Sequence, residues 1–147
     1  MGRHVLILHG PNLNLLGRRE PGIYGSRTLD EINMECERLG AELGLEVAHY
    51  QSNSEGDLVT MVQEAGLAGK AIVFNPGAYS HTSIALRDAI SGSGAQVIEV
   101  HISNIHAREP FRHGSMITPV ARGMICGLGT DGYLLALRAL AAEPAAA

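Results

Sequence analysis

The sequence predicts a doubly wound α/β domain built around a five-stranded parallel sheet. Short apolar runs alternate with segments of helical periodicity along the whole chain of 147 residues. The runs are rich in valine, isoleucine and leucine, which is typical of parallel strands covered by helices on both faces. Polar loops follow three of the runs, at the positions where open α/β sheets bind their ligands.

Five apolar runs are predicted strands, and they cover residues 4–8, 45–50, 71–74, 96–102 and 123–127. Predicted helices follow the first, second, third and fifth runs, at residues 28–43, 54–67, 82–91 and 132–142. The first helix is the best marked. Thr28-Leu-Asp-Glu31 is a capping box, and apolar residues from Leu29 to Leu43 recur at steps of three and four.

Five strands favour the 2-1-3-4-5 order of a flavodoxin-like three-layer sandwich, because the Rossmann order requires a sixth strand. In the favoured order, strands 1, 3 and 4 are neighbours. The segments at their ends read GPNLNLLGRREPGIYG (residues 10–25), NPGAYSHTS (75–83) and EVHISNIHAREPFR (99–112). Since neighbouring parallel strands end at one edge of a sheet, we expect these segments to form a single pocket.

Length and composition predict one domain over residues 1–142, followed by a short disordered tail at 143–147. No apolar stretch approaches the roughly 20 residues of a membrane span. The apolar run near the first residue is too short for a signal peptide. Cys36 and Cys126 lie far apart without a CxxC spacing, which suits reduced thiols. We therefore expect a cytoplasmic protein without membrane contact.

The distribution of charge predicts a small anionic ligand. The chain has a net charge of −4, which disfavours nucleic acid as a partner. Four arginines nevertheless fall in the polar loops after predicted strands 1 and 4, namely Arg18, Arg19, Arg108 and Arg112. A cationic pocket on an acidic protein favours a small acid as substrate.

Tyr24 is a candidate general base because Arg19 precedes it in the same loop and Arg108 lies in a loop of the same predicted pocket. A tyrosine has a reference pKa of about 10, so it serves as a base at neutral pH only where its phenolate is stabilised. Guanidinium groups supply that stabilisation, and arginine retains its own proton. The alternative interpretation is that these are solvated loop residues.

Glu99 and His101 are a candidate acid pair, since residues two apart on a strand point to the same face. A carboxylate beside an imidazole holds one tautomer and favours the protonated ring, which makes a better proton donor. The alternative is a half-buried histidine with a chance neighbour.

Three asparagines, Asn12, Asn14 and Asn75, lie at predicted strand ends. Such residues commonly form Asx turns, and they can equally bind hydroxyl groups or position water against a developing oxyanion.

Metal and nucleotide cofactors are not indicated by the sequence. The seven histidines show no HExxH or comparable ligand spacing. No GxGxxG follows strand 1 and no GxxxxGK[ST] occurs, while aromatic residues make up only 4% of the chain, few for a flavin site. A phosphorelay receiver shares the strand order but requires aspartate where this chain has Asn75. We expect neither metal nor organic cofactor.

The three segments, together with the closing sequence GLGTDGYLLAL, resemble the type II 3-dehydroquinate dehydratases over essentially the whole chain. The resemblance implies the flavodoxin-like fold and a lyase that converts 3-dehydroquinate to 3-dehydroshikimate in the shikimate pathway. It implies an anti elimination through an enolate. One departure is that His9 precedes GPN where the family usually carries asparagine, and this change is expected to affect local packing or a lid hinge.

The resemblance also implies a role for each catalytic residue. Tyr24 removes the C2 proton of the substrate, and Arg19 and Arg108 stabilise its phenolate. Asn12 holds a water molecule against the enolate oxygen. His101, backed by Glu99, protonates the departing C1 hydroxyl group.

Binding and assembly are implied in the same way. The residues that grip the hydroxyl groups and the carboxylate are Asn75, His81, Arg112 and the backbone at Ile102 and Ser103. The stretch 18–24 acts as a lid. Family members are homododecamers, tetramers of trimers, in which Asp88 reaches the site of a neighbouring subunit. The alternative function is a non-catalytic flavodoxin-like module that binds a small polyol acid, although both Tyr24 and His101 are present.

Overall fold

The computed structural model describes residues 3–18 and 20–143. The strands are β1 (Arg3–His9), β2 (Leu45–Gln51), β3 (Ala71–Asn75), β4 (Gln96–His101) and β5 (Gly123–Cys126). The α-helices of the described residues are α1 (Pro21–Tyr24), α2 (Leu29–Glu42), α3 (Glu55–Leu67), α4 (Ile84–Ser93) and α5 (Asp131–Ala141). Each predicted strand is present with bounds that differ by no more than one residue. The short helix α1 was not predicted.

All strand pairs are parallel, and the order is β2-β1-β3-β4-β5. This confirms the predicted fold class and strand order. His9 at the end of β1 lies opposite Asn75 at the end of β3, and Phe74 lies opposite Glu99 on β4. The polar segments that follow these three strands therefore start at the same edge of the sheet.

Two hydrophobic cores cover the two faces of the sheet. Helices α2 and α5 contribute Ile32, Cys36 and Leu137 to the first core, while α3 and α4 contribute Leu58 and Leu86 to the second. Every residue of β3 is buried, as expected for a central strand packed on both sides. Among the described helices, none combines the length and the apolar character needed to cross a membrane.

Serine and threonine caps begin three of the helices. The side chains of Thr28, Ser54 and Ser83 each accept a hydrogen bond from the backbone N–H three residues later. Helix α4 begins later than predicted because Ser83 is its cap, whereas Thr82 closes the preceding 3-10 turn.

Gly10 brings the end of β1 against the end of β3. Its N–H donates to the carbonyl oxygen of Asn75 at 2.8 Å, and a Cβ atom at this position would lie 2.4 Å from the carbonyl oxygen of Pro76. Only glycine permits so close a backbone approach. The GPN and NPG segments are therefore in contact through their backbones.

Glu143, the first residue of the predicted tail, binds three side chains of the folded domain. Its carboxylate binds Arg3 at 2.6 Å and Arg122 at 2.5 Å, and it accepts from Gln96 at 2.8 Å. Because these partners lie at the starts of β1, β4 and β5, Glu143 is fastened to the folded domain. Residues 144–147 lie outside the described residues.

A buried polar chain crosses the first core. His9 Nε2 lies 2.8 Å from Asn33 Oδ1, and His9 Nδ1 lies 3.2 Å from the Tyr133 hydroxyl, which accepts from Asn75 Nδ2 at 2.9 Å. His9 and Tyr133 are fully buried. Burial lowers the pKa of His9 to about 4, although the hydrogen bond to Asn33 acts in the opposite direction. The side chain of His9 thus contacts α2 and α5.

Burying a neutral His9 makes the fold sensitive to acid. In the unfolded chain this histidine protonates near the ordinary histidine pKa of about 6.5, whereas in the folded chain its pKa is about 4. Between these values the unfolded state binds more protons, so the free energy of unfolding falls by about 3 kcal/mol on acidification through this window. In His9→Asn we expect this part of the loss to vanish, as measured by urea unfolding at several pH values. His106 is exposed, and His106→Asn is the control: it should lose as much stability on acidification as the wild-type protein.

Candidate active site

A cavity opens at the edge of the sheet where β1, β3 and β4 end, with a volume of about 60 Å³. Nine of the predicted site residues border it: Asn12, Tyr24, Asn75, His81, His101, Ile102, Ser103, Arg108 and Arg112. The structure therefore brings together residues from all three polar segments.

A larger cavity of about 650 Å³ adjoins the first. Tyr24, Ser103 and Arg108 border both cavities, and the larger one extends to the loop before α5. Neither His81 nor His101 borders the larger cavity. Since the candidate acid and base both border the smaller cavity, the smaller cavity is the candidate active site.

Glu99 and His101 form a buried pair. His101 Nε2 lies 2.5 Å from Glu99 Oε2, and the Glu99 side chain is fully buried. Glu99 also accepts from Ser115 Oγ at 2.8 Å and from Thr118 Oγ1 at 2.6 Å. Burial alone would raise the pKa of Glu99, but the hydrogen bonds from His101, Thr118 and Ser115 outweigh it and hold the pKa below its ordinary value. An ionised carboxylate therefore backs the imidazole.

This arrangement determines which nitrogen of His101 can transfer a proton. Nε2 is engaged with Glu99, so Nδ1 is the nitrogen left for exchange with a bound molecule. The ring of His81 stacks near that of His101, with centroids 6.3 Å apart and planes 22° apart. His81 Nδ1 donates to the carbonyl oxygen of Gly114 at 2.8 Å, so its Nε2 is available as an acceptor.

Tyr24 and Arg108 form the second functional pair. An Arg108 Nη1–H donates to the Tyr24 hydroxyl at 2.8 Å and to Ser103 Oγ at 3.2 Å. The guanidinium carbon also lies 5.3 Å from the centroid of the Tyr24 ring. A donor with a permanent positive charge stabilises the phenolate form of a tyrosine. This hydrogen bond supplies the cationic donor that the predicted general base requires.

Glu109 partly neutralises the cationic side of the cavity. Arg112 Nε donates to Glu109 Oε2 at 2.9 Å, and Arg108 Nε lies 3.8 Å from Glu109 Oε1. The hydrogen bond from Arg112 lowers the pKa of Glu109 below its ordinary value. Glu109 is exposed, so an incoming anion competes with a solvated carboxylate rather than with a buried one.

Asn12 has a backbone conformation that few residues other than glycine adopt. Its backbone is left-handed, with φ of 68°, and its N–H donates to Asn53 Oδ1 at 3.0 Å. Asparagine tolerates this conformation better than most residues. Asn14, in contrast, is exposed and does not border the cavity.

Of the predicted site residues that the structure describes, Glu99 and Asp88 do not border this cavity. Arg19 lies outside the described residues, so its predicted role remains a prediction. Asp88, on α4, borders a separate depression between α3 and α4 together with Val59 and Leu67. In residues 3–18 and 20–143, no three histidine, cysteine, aspartate or glutamate side chains lie together as a metal site.

Sequence reasoning missed three polar residues of the site. Ser115 and Thr118 bind Glu99 from a loop whose sequence carries no motif for this role. Tyr133 binds Asn75 from α5, where its spacing marks it only as a core residue. The signal available in advance was the buried charge of Glu99, which requires hydrogen-bond donors from somewhere in the fold.

The fold and the site define a flavodoxin-like α/β enzyme that performs acid–base chemistry on a small anion. The family model described as dehydroquinase class II matches residues 3–141. The chain belongs to this family, which confirms the resemblance read from the three polar segments.

Curated relatives and solved structures agree with this assignment. The chain is 62% identical over 144 residues to the 3-dehydroquinate dehydratase of Chelativorans sp. (strain BNC1), covering 97% of this chain and 99% of that protein. It is 58% identical to the enzyme of Brucella canis, covering 97% of this chain and 90% of that one. The type II dehydroquinase of Propionibacterium acnes superposes with a TM-score of 0.94 at 46% identity, covering 97% and 99% of the two chains.

The hydrogen bond from Thr118 provides a test of the Glu99–His101 pair. Thr118→Val keeps the side-chain shape but removes a donor to a buried carboxylate, which costs about 1.5–3 kcal/mol of stability. The pKa of Glu99 should rise, so the acidic limb of the rate profile should move to higher pH and kcat should fall. Thr60→Val, on the exposed face of α3, is the matched control. An unshifted profile in Thr118→Val would contradict the role of this hydrogen bond.

Proposed function

We propose that this chain dehydrates 3-dehydroquinate to 3-dehydroshikimate in the shikimate pathway. The observation that carries the proposal is the single cavity bordered by both Tyr24, with Arg108 as hydrogen-bond donor, and His101, backed by Glu99. Relatives that are 58–62% identical over nearly their whole length are named as 3-dehydroquinate dehydratases.

The reaction begins when Tyr24 takes the proton from C2 of the substrate, next to the ketone. Arg108 stabilises the phenolate through its 2.8 Å hydrogen bond, and Arg19 is proposed to act with it. The electrons move onto the ketone oxygen and form an enolate. Asn12 borders the cavity and is proposed to hold a water molecule against that oxygen.

His101 completes the elimination. As the enolate collapses, the C1–O bond breaks and protonated His101 gives its proton to the departing hydroxyl group, which leaves as water. Anti elimination needs the acid and the base on opposite faces of the substrate ring. Tyr24 arrives from the segment after β1 and His101 from the end of β4, so the two groups approach from different elements.

Polar groups around the cavity bind the rest of the substrate. Asn75, His81 and the backbone at Ile102 and Ser103 are proposed to bind the hydroxyl groups and carboxylate, with Arg112 as the cationic partner. Arg112 is paired with Glu109 at 2.9 Å. Binding a substrate carboxylate is then an exchange of one anion for another.

The position of the chain's one lysine favours an enolate over a Schiff base. Lys70 immediately precedes β3, five residues before Asn75. At about 3.3 Å per residue, its Cα lies roughly 16 Å from the end of the strand that borders the cavity. Lys70 instead borders a different surface depression near His4 and His49. The substrate carbonyl therefore stays a ketone.

We propose that the active form is a cytoplasmic homododecamer, a tetramer of trimers, in which Asp88 contributes to a neighbouring subunit's site. Asp88 is exposed on α4 and does not border the cavity of its own chain. Leu67 and Ile84, on the same side of the fold, are 79% and 61% exposed. Apolar side chains exposed beside Asp88 support an interface here. The non-catalytic binding module has no observation in its favour.

Tyr24→Phe tests the base. The substitution removes the hydroxyl group and should lower kcat by about 10²–10⁴-fold or more, because phenylalanine cannot accept the C2 proton. Turnover is followed by the absorbance of the enone product, and substrate binding is measured separately and should persist. Tyr50→Phe, on the edge strand β2, is the control for the same chemical change. A near-normal kcat in Tyr24→Phe would refute the assignment.

Asp88→Ala tests the assembly. If Asp88 serves a neighbouring subunit, the variant should lose activity and its assembly should weaken in sedimentation experiments. Asp30→Ala, an exposed aspartate in the first turn of α2, controls for the loss of one surface charge. A wild-type chain that sediments as a fully active monomer would contradict the proposed dodecamer.

A further inference from the structure

The hydrogen-bonded chain through His9 ends at the cavity. Hydrogen bonds join four side chains one after another: Asn33 on α2, His9 at the end of β1, Tyr133 on α5 and Asn75 at the end of β3. Asn75 borders the cavity. His9 and Tyr133 are fully buried, and Asn33 and Asn75 are 6% and 3% exposed. Four buried polar side chains in one line are costly unless every bond is satisfied.

The direction of each bond in this chain follows from one proton. Asn33 Oδ1 can only accept, so His9 must donate from Nε2. A neutral imidazole carries one N–H, which leaves Nδ1 as an acceptor for the Tyr133 hydroxyl proton. The Tyr133 oxygen is then free to accept from Asn75 Nδ2. Reversing any one bond would leave two donors or two acceptors facing each other.

The opposite end of the Asn75 amide is also held. Its Oδ1 accepts from the N–H of Gly77 at 3.1 Å. With Nδ2 bound to Tyr133, the amide cannot rotate by 180° without breaking both bonds. One N–H of Nδ2 and one lone pair of Oδ1 remain for a molecule in the cavity.

We propose that Asn33, His9 and Tyr133 are positioning residues that orient the Asn75 amide toward the substrate. This rests on the proposed role of Asn75 in substrate binding. It assigns a function to His9, the residue at which this chain departs from the asparagine usual in the family, and to Tyr133. These hydrogen bonds orient the Asn75 amide before the substrate binds. A preoriented amide avoids the entropic cost of being ordered on binding.

The kinetic test is a double-mutant cycle between Tyr133 and Asn75. Tyr133→Phe keeps the ring in the core and removes the hydroxyl, so it should raise KM by about five- to tenfold while kcat changes less. In Tyr133→Phe/Asn75→Ala the effect should be no larger than in Asn75→Ala alone, since Tyr133 acts through Asn75. Tyr50→Phe is the matched control and should leave KM unchanged.

The outcomes separate the two proposals. An unchanged KM in Asn75→Ala would refute the binding role of Asn75 and the positioning proposal with it. A raised KM in Asn75→Ala with additive effects in the double variant would refute the positioning proposal alone.

A second measurement is made on the wild-type protein and uses a variant only to assign the signal. In wild-type protein labelled with ¹⁵N at histidine, the ring nitrogen shifts of His9 should report a neutral imidazole protonated at Nε2 at neutral pH. The His9 signal is assigned by its loss in His9→Asn. A ring protonated at Nδ1, or at both nitrogens, would overturn the proposal, because Tyr133 would then have no acceptor for its proton.

Discussion

The contact between Gly10 and the β3 end is the constraint on which the site depends. The carbonyl oxygen of Pro76 occupies the space that a Cβ atom on Gly10 would need, and the N–H of Gly10 is bound to Asn75. Two loops that would otherwise splay apart are thereby closed against each other. This contact fixes the positions of Asn12 and Asn75 relative to each other, since Asn75 takes part in it and Asn12 lies two residues after Gly10. The cavity is therefore built on backbone geometry before any side chain contributes.

The proposed acid, His101, depends on a negative charge that the fold has to stabilise. Glu99 is fully buried in the central part of the sheet, and an isolated carboxylate there would take up a proton rather than remain ionised. Three donors, on His101, Ser115 and Thr118, make ionisation favourable. The same donors hold the carboxylate still, so the imidazole is both polarised and oriented. Neither Ser115 nor Thr118 borders the cavity, so both would act on the proposed acid only through Glu99.

Local patterns predict this fold well and its supporting contacts poorly. Strand order followed from counting apolar runs, and the strand-end positions of Asn75 and His101 brought them to one cavity. Ser115 and Thr118 could not be found this way, because their role depends on where the segment between β4 and β5 passes Glu99. Tyr133 was equally hidden, since its helical spacing marks a core position and its hydroxyl partner is 58 residues away. Pairings of this kind depend on tertiary packing and not on local sequence.

The tyrosines of this protein can serve as intrinsic optical probes of the site. The chain has four tyrosines, two phenylalanines and no tryptophan, so tyrosine dominates its near-ultraviolet absorbance and its fluorescence. Tyr24 borders the cavity with a guanidinium against its hydroxyl, and Tyr133 is enclosed in the core one hydrogen bond from the cavity. Ionisation or a change in hydrogen bonding at either ring alters tyrosine absorbance and emission directly. Ligand entry can thus be followed in unlabelled protein, with no tryptophan emission to mask it.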